Sequence, residues 1–309
     1  MQDDPGPHQV VGMAEIEIPV DAKGNDADRQ HRHRGEHGEP KKIGKNGIHL
    51  PDIVPYRLRV IDKRQFNGPT CTMDDDIFQG LGAISTATIT MQLLKHGIRN
   101  VSMAGIRPLN DPVQRILGPA YTLRYVPLRE DLSTPEVLGG ADYPPRLAIE
   151  QAPEGSVLVI DGRGRDDIAV LGDQLTERLK IRGVAGVVSD GGIRDCAQSV
   201  AVGLALYAAG PAAPASVAGH AAADLETPIA CGGVAVIPRD IIAGDGDGVV
   251  VIPQALAAEV ARDGLEQERY ERFAKLKIQE GRPARGLYPP NEDTKAEYAK
   301  WVEDGEPEG

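Results

Sequence analysis

The stretch Leu171 to Asp195, LGDQLTERLKIRGVAGVVSDGGIRD, decides how this chain folds. Gln174 to Arg182 reads as a helix and carries the chain about 15 Å at ~1.5 Å per residue. The apolar strand Val184 to Ser189 returns it about 20 Å at ~3.3 Å per residue. The corner Asp190-Gly191-Gly192 ends that return. Upstream, Gly155 to Asp161 (GSVLVID) is a short apolar run closed by a turn, the pattern of a buried strand. Strand, helix and strand make a βαβ unit with parallel strands and a right-handed crossover. Ligands of such sheets collect outside the carboxyl ends of the strands. Asp173 and the pair Arg194-Asp195 are therefore expected on one sheet edge, with a guanidinium between two carboxylates. That arrangement suits a divalent cation holding an anionic substrate. The helix start also presents the backbone N–H groups of Gln174 and Leu175, a cradle for a carboxylate.

A chain of 309 residues suggests one large domain with appendages or two small ones. The formal net charge of −12 argues against a general phosphate-backbone binder, so no DNA partner is expected. Apolar residues make up 41%, enough for a core, and with three Phe and one Trp that core is mostly aliphatic. Cys71, Cys196 and Cys231 are widely spaced with no CxxC pair, as in a reduced protein. No run of eighteen apolar residues appears and the first residues, MQDDPGPHQ, lack a signal pattern. A cytoplasmic location without membrane contact is the expectation.

Residues 1–74 contain DAKGNDADRQHRHRGEHGEPKKIGKNG, too polar to bury a core, and read as an arm partly ordered on neighbours. His31, His33 and His37 lack a completing ligand cluster, so a solvated tail is expected there. Ile53 to Val60 has strand-like content. The globular core is expected over residues 75–253, and the C-terminal helix and tail over 254–309. Ile77 to His96 reads as one helix or two short ones, with Ser85, Thr86 and Thr88 more suited to capping than to ligand contact. Ile116 to Pro127 reads as a strand, Cys196 to Leu204 as a short helix, and Ala205 to Gly210 as a strand. Pro211 to Pro228 reads as a long small-residue loop that leaves His220 at the surface. Cys231 to Pro238 and Gly248 to Pro253 read as strands, and Gly244 to Gly248 (GDGDG) as a hairpin turn, since it lacks the spacing of a calcium loop. The charged run from Pro253 to Glu280 reads as a helix.

With Gly172-Asp173, twenty intervening residues and Arg194-Asp195, the chain resembles the RraA-like family. That family includes regulators of ribonuclease activity and class II 4-hydroxy-4-methyl-2-oxoglutarate/4-carboxy-4-hydroxy-2-oxoadipate aldolases. GPAYTLRYVP, RGVAGVVSDGGIRD, PIACGGVAVIPRDIIAGDGDGVVVIP and GLYPP carry the likeness, from roughly Asp75 to Trp301. The resemblance implies an α/β fold, an αββα sandwich related to swivelling β/β/α domains, assembled as a homotrimer or homohexamer. It implies Asp195 as the direct ligand of Mg²⁺ or Mn²⁺, with Asp173 holding a metal-bound water. It further implies Arg194 on the keto or enolate oxygen of a pyruvate unit. The N–H groups of Gln174 and Leu175, beyond Gly172, would take its carboxylate. A glutamate from a neighbouring subunit is implied too, with Glu266, Glu268 and Glu271 as candidates. The implied activity is metal-dependent cleavage of a 4-hydroxy-2-oxo acid to pyruvate, with oxaloacetate decarboxylase activity from the same enolate. No Schiff-base lysine is needed, and Lys180 stands at the wrong end of its helix.

Plainer roles stand beside these. Asp173 also suits an N-cap or first-turn acid, and Arg194-Asp195 a structural turn with its own ion pair. Asp190 fits shaping the Gly-rich corner better than binding metal. Cys196 has no neighbouring His to mark it as a nucleophile and reads as a small buried residue. The second functional reading is a non-catalytic regulator that binds a ribonuclease or its partners, which an acidic protein could do by masking a basic surface. One departure concerns the substrate: STATITMQLL stands where aldolase relatives place an acidic residue before an Ala-Leu pair.

Overall fold

The computed structural model describes residues 75–307. The polar arm, with its three histidines and the Ile53 to Val60 segment, lies outside the described residues.

Two helices open the described chain, α1 (Asp75–Ala83) and α2 (Thr86–Lys95). The break falls at Ser85, which caps α2 by accepting from Thr88 N at 3.1 Å. Next come β1 (Arg107–Pro108), the long strand β2 (Ile116–Pro127), α3 (Pro135–Gly139) and α4 (Pro144–Gln151). The decisive stretch then supplies β3 (Val157–Asp161), β4 (Ala169–Leu171), α5 (Asp173–Ile181), β5 (Gly186–Ser189) and β6 (Gly192–Ile193). After them run α6 (Cys196–Ala201), β7 (Ala205–Ala208), β8 (Gly210–Pro211), β9 (His220–Leu225), β10 (Ile229–Cys231) and β11 (Val234–Val236). The hairpin β12 (Ile241–Asp245) and β13 (Gly248–Ile252) precedes the long helix α7 (Ala257–Gln279) and the last helix α8 (Glu292–Glu303).

Eight strands form the main sheet, in the order β1-β7-β5-β3-β2-β12-β13, with β9 paired to β2. β2, β3, β5 and β7 run parallel, as the βαβ pattern requires. Strand β3 alternates strictly. Leu158 and Ile160 enter a core with Ala148 and Ile149 of α4 and Leu179 of α5, while Val157 and Val159 face the other way. That second face packs on Ile229, Cys231, Val234 and Val236 of the β10–β11 hairpin and on Ile242, Val249 and Val251 of β12–β13. Outside the β12–β13 hairpin, Leu81, Ile89 and Leu93 meet Val260 and Ala261 of α7. Helices thus cover both outer faces of two strand layers, giving the αββα sandwich. Every one of these β3 residues is at most 1% exposed, the apolar run of a strand buried on both faces.

Several elements differ from the sequence expectation, among them the Cys231 to Pro238 run, which turns at Gly232-Gly233 between β10 and β11 and is not one strand. The Pro211 to Pro228 segment is not a plain loop, because it holds β8, a short 3₁₀ turn at Ser216–Ala218, and β9. Its Ala-rich strand carries little side-chain pattern and is held by main-chain pairing with β2. Strand β12 was also absent from the expectation, although its partner turn was not. Gly246 and Asp247 close a tight hairpin between Asp245 and Gly248. Near the C-terminus, Leu287 of the GLYPP segment plugs a cluster with Phe273, Tyr270, Tyr298 and Trp301. No single helix among the described residues is long and apolar enough to cross a membrane.

Candidate functional site

Asp173 and Arg194-Asp195 do share a sheet edge, but not that of the main sheet. Between β3 and α5 the chain adds β4, which pairs in parallel with β6, and β6 with β8. A three-residue strand inside RGRDDIAVLGD has no period to betray it, so sequence reasoning passed over it. Leu171 O accepts from Arg194 N at 2.8 Å, which locks the two strand ends side by side. Gly172-Asp173 leaves one end and Arg194-Asp195 the other.

Backbone conformation aims the acid. Asp195 has φ 48° and ψ 46°, the left-handed region that Asp and Asn tolerate best among residues with a side chain. Its Oδ2 lies 3.5 Å from Arg194 Nε, and both side chains are about half exposed, at 44% and 52%. A Cβ at Gly172 would stand 3.5 Å from the same Oδ2, in van der Waals contact with the carboxylate. Asp173 begins α5, and its Oδ1 accepts from Gln174 N at 2.8 Å. The Gln174 N–H is therefore occupied by its neighbour and does not stand open as expected. Leu175 N–H sits in the first turn, where helix geometry offers no internal acceptor. Gly172, Asp173, Gln174, Leu175, Arg194 and Asp195 all line one cavity of about 340 Å³, completed by Ala169 to Leu171, Ala215 and Ser216. Ser216 comes from the segment expected to be a loop and was not singled out in the sequence. Arg194 and Asp195 also border a second cavity of about 390 Å³, with Cys196 and Pro211 to Ala213.

The remaining candidates fall on either side. Asp190 shapes its corner as expected, accepting from the N–H groups of Gly162 at 2.7 Å, Gly164 at 3.0 Å and Gly232 at 3.4 Å. Burial pushes its carboxyl above the usual range against the pull of those donors. His220 is a correction: it is fully buried, not at the surface. Its Nδ1 lies 3.3 Å from Arg163 Nη1, and its ring centroid is 5.0 Å from that of Tyr125. Burial, helped by Arg163 and Arg165, lowers its pKa to about 4. A Gly/Ala-rich run looks exposed, yet pairing of β9 with β2 carries its first residue inside. Cys196 is only half-buried, and that partial loss of water raises its thiol pKa.

Lys180 donates to Gly203 O at 2.8 Å, at the far end of α5 from the cavity. The three glutamates of α7 all have partners in their own chain. Glu266 accepts from Tyr298 at 2.7 Å, and Glu271 from Gln267 at 2.9 Å. Glu268 accepts from Thr88 Oγ1 at 2.7 Å and from Ser85 N and Oγ at 3.1 Å. Burial pushes Glu268 up, but these donors outweigh it and leave its pKa lowered.

No group of three or more His, Cys, Asp or Glu among the described residues is placed to hold a metal ion. The cavity offers two carboxylates, Asp173 and Asp195, and no sulfur or imidazole donor. Such a donor set fits Mg²⁺, a hard cation that keeps several waters and takes one or two carboxylates. It does not fit a closed zinc cage.

A family model described as RraA-like, aldolase/RraA, matches residues 70–251. This chain belongs to the RraA-like family. A relative from Halalkalibacterium halodurans, provisionally named a 4-hydroxy-4-methyl-2-oxoglutarate aldolase, is 33% identical over 172 residues, 56% of this chain and 75% of the relative. The crystal structure of Streptomyces coelicolor RraAS2, described as an unusual member of the RNase ES inhibitor RraA protein family, is 30% identical. It superposes with a TM-score of 0.60 over 67% of this chain and 100% of that one. A Pseudomonas syringae pv. tomato protein of undescribed function is 27% identical, with a TM-score of 0.60 over 70% of this chain and 98% of its own. Relatives with an aldolase name and a relative with a regulator's name thus stand side by side.

Proposed function

We propose that this protein is a divalent-metal-dependent lyase that cleaves a 4-hydroxy-2-oxo acid to release pyruvate. One observation carries the reading: Asp173, Arg194, Asp195 and the start of α5 converge on a single cavity. Asp195 would hold the cation directly and Asp173 through water. The cation, Mg²⁺ or Mn²⁺, would supply Lewis-acid stabilisation of negative charge on the substrate.

The protein's own groups account for the rest. The first-turn N–H of Leu175 and the positive end of the α5 dipole bind the substrate carboxylate. Gln174 N–H joins once Asp173 Oδ1 turns from it. Asp173 takes the proton of the C4 hydroxyl, directly or across one water. The C3–C4 bond then breaks, the C4–O bond becomes a carbonyl, and the electron pair passes to the three-carbon fragment as an enolate. Arg194 faces that oxyanion and stabilises it as charge builds. Return of the proton taken by Asp173, directly or across the same water, to C3 completes pyruvate and restores the carboxylate. Oxaloacetate would lose CO₂ through the same enolate. The resemblance to a trimeric or hexameric family supports a homo-oligomer.

The likeness to RraAS2 favours a second reading, in which the same fold binds a ribonuclease as a regulator without turnover. Pyruvate formation from a panel of 4-hydroxy-2-oxo acids and oxaloacetate, with Mg²⁺ or Mn²⁺ and then with chelator, separates the two. The lyase reading expects turnover that stops on chelation and returns with metal. No turnover across the panel would leave the regulator reading, which a pull-down of ribonuclease then tests.

A further inference from the structure

The Arg194-Asp195 pair stands on three successive peptide planes, and all of them are tied down. The plane joining Ile193 to Arg194 is held from both sides: Arg194 N donates to Leu171 O at 2.8 Å, and Ile193 O accepts from Ala212 N at 2.9 Å. The next two planes are held by Ser199 of α6. Its hydroxyl donates to Arg194 O at 3.0 Å, and its N–H donates to Asp195 O at 2.8 Å. Rotation about N–Cα of Asp195 turns the first of these planes, and rotation about Cα–C turns the second. One residue therefore grips both φ and ψ of the acid. Ser199 is fully buried, at 0% exposure, so water does not compete for its hydroxyl.

That grip has something to resist. Asp195 immediately precedes α6, where an Asp ordinarily takes an extended backbone and folds its carboxylate onto the first-turn N–H groups. Here φ is 48° and ψ 46°, and the carboxylate makes no capping bond. A left-handed backbone costs free energy in any residue with a Cβ, so it persists only where surrounding bonds over-determine it. We infer that Ser199 is a positioning residue for the candidate metal site. Its hydroxyl holds Asp195 left-handed, which keeps the carboxylate off the α6 N–H groups and beside the cavity. The inference rests on the reading of Asp195 as the cation's ligand and adds the residue that presents it. Without the hydroxyl the Arg194–Asp195 plane is free to turn, and Asp195 recovers a cap bond by leaving the cavity. A cation must then draw the carboxylate back, which weakens metal affinity and spares turnover of the loaded protein.

The test compares the full chain with its Ser199→Ala variant, following Mn²⁺ binding by calorimetry and solving the metal-free variant by crystallography. The Mn²⁺ dissociation constant should rise several-fold, toward the roughly tenfold that one hydrogen bond is worth. At saturating Mn²⁺ kcat should stay within about threefold of the parent, since only the population of the binding-competent state has changed. In the crystal, Asp195 should show a negative φ with its carboxylate bonded to an α6 N–H. Ser199→Thr, which keeps the hydroxyl, should bind Mn²⁺ as the parent does. Unmoved Mn²⁺ affinity in Ser199→Ala, or an Asp195 still left-handed there, overturns the inference and spares Asp195 as ligand. Should Ser199→Ala lower the unfolding midpoint, Ser199→Thr decides. Parental affinity in it supports the grip, and affinity as weak as that of Ser199→Ala at a parental midpoint overturns it. If the unsubstituted protein binds no Mn²⁺, the metal reading fails by itself, and Asp195 φ in the Ser199→Ala crystal still judges the grip.

Discussion

Two pairs of aspartates sit at the carboxyl ends of parallel strands, and only one pair is open. Asp161 ends β3 and Asp190 follows β5 in the main sheet, where the topological rule for α/β sheets would look first. Asp173 and Asp195 follow the far shorter β4 and β6. The main-sheet pair is consumed by backbone. Asp190 takes three N–H groups, and Asp161 takes Arg163 N at 2.9 Å. Burial raises both of their pKa values. The other pair borders a cavity, with Asp195 half exposed beside Arg194, although Asp173 gives its Oδ1 to Gln174 N. Position at a strand end nominates an acid; unspent lone pairs are what leave it available to a ligand.

The sharpest break of this comparison is Asp195→Asn. Asn keeps the left-handed backbone and removes the charge, so kcat with Mg²⁺ should fall about a thousandfold, roughly 4 kcal/mol of transition-state stabilisation. The unfolding midpoint should stay in place. Activity within tenfold of the parent would show that the open pair is only structural.

Burial by itself is tested by His220. Its folded pKa of about 4 lies below the unfolded value of 6.5, so it contributes stability above about pH 6.5 that is lost as pH falls toward 4. Urea unfolding should record a loss of about 3 kcal/mol from this group across that window. His220→Leu should flatten the slope, and equal slopes in the two proteins would refute it.

Asp190→Ala probes the spent pair. It strands backbone donors and should cost about 2 kcal/mol of stability while kcat changes less than about threefold. A large loss of kcat at unchanged stability would move Asp190 into the site. The smallest effect is expected at Glu268→Gln, which weakens the acceptor of Ser85 and Thr88 at the α2 start. A loss of about 1 kcal/mol is expected. If turnover instead falls without a change in stability, Glu268 serves a site and not a cap.

The βαβ core was readable because GSVLVID and VAGVVS are apolar runs bounded by Gly and Asp, and both strands are buried on two faces. Asp173, Arg194 and Asp195 were readable from their spacing across one helix-strand return. Ser216 and β9 were not. Ala-rich segments have no hydrophobic period, and their pairing depends on main-chain groups of a strand about a hundred residues earlier. His220 was misplaced for the same reason.

Local chemistry written along the chain was enough to decide which segments become helix and strand in the β3–β6 region, and that two acids and a guanidinium would meet. Propensity, turn residues and rise per residue all act over short range, so sequence carries them directly. Only the tertiary structure decided which sheet edge holds the site, which aspartates are spent on backbone donors, and what forms the wall facing them. Those outcomes depend on where distant N–H groups and side chains come to rest, which no spacing along the chain encodes.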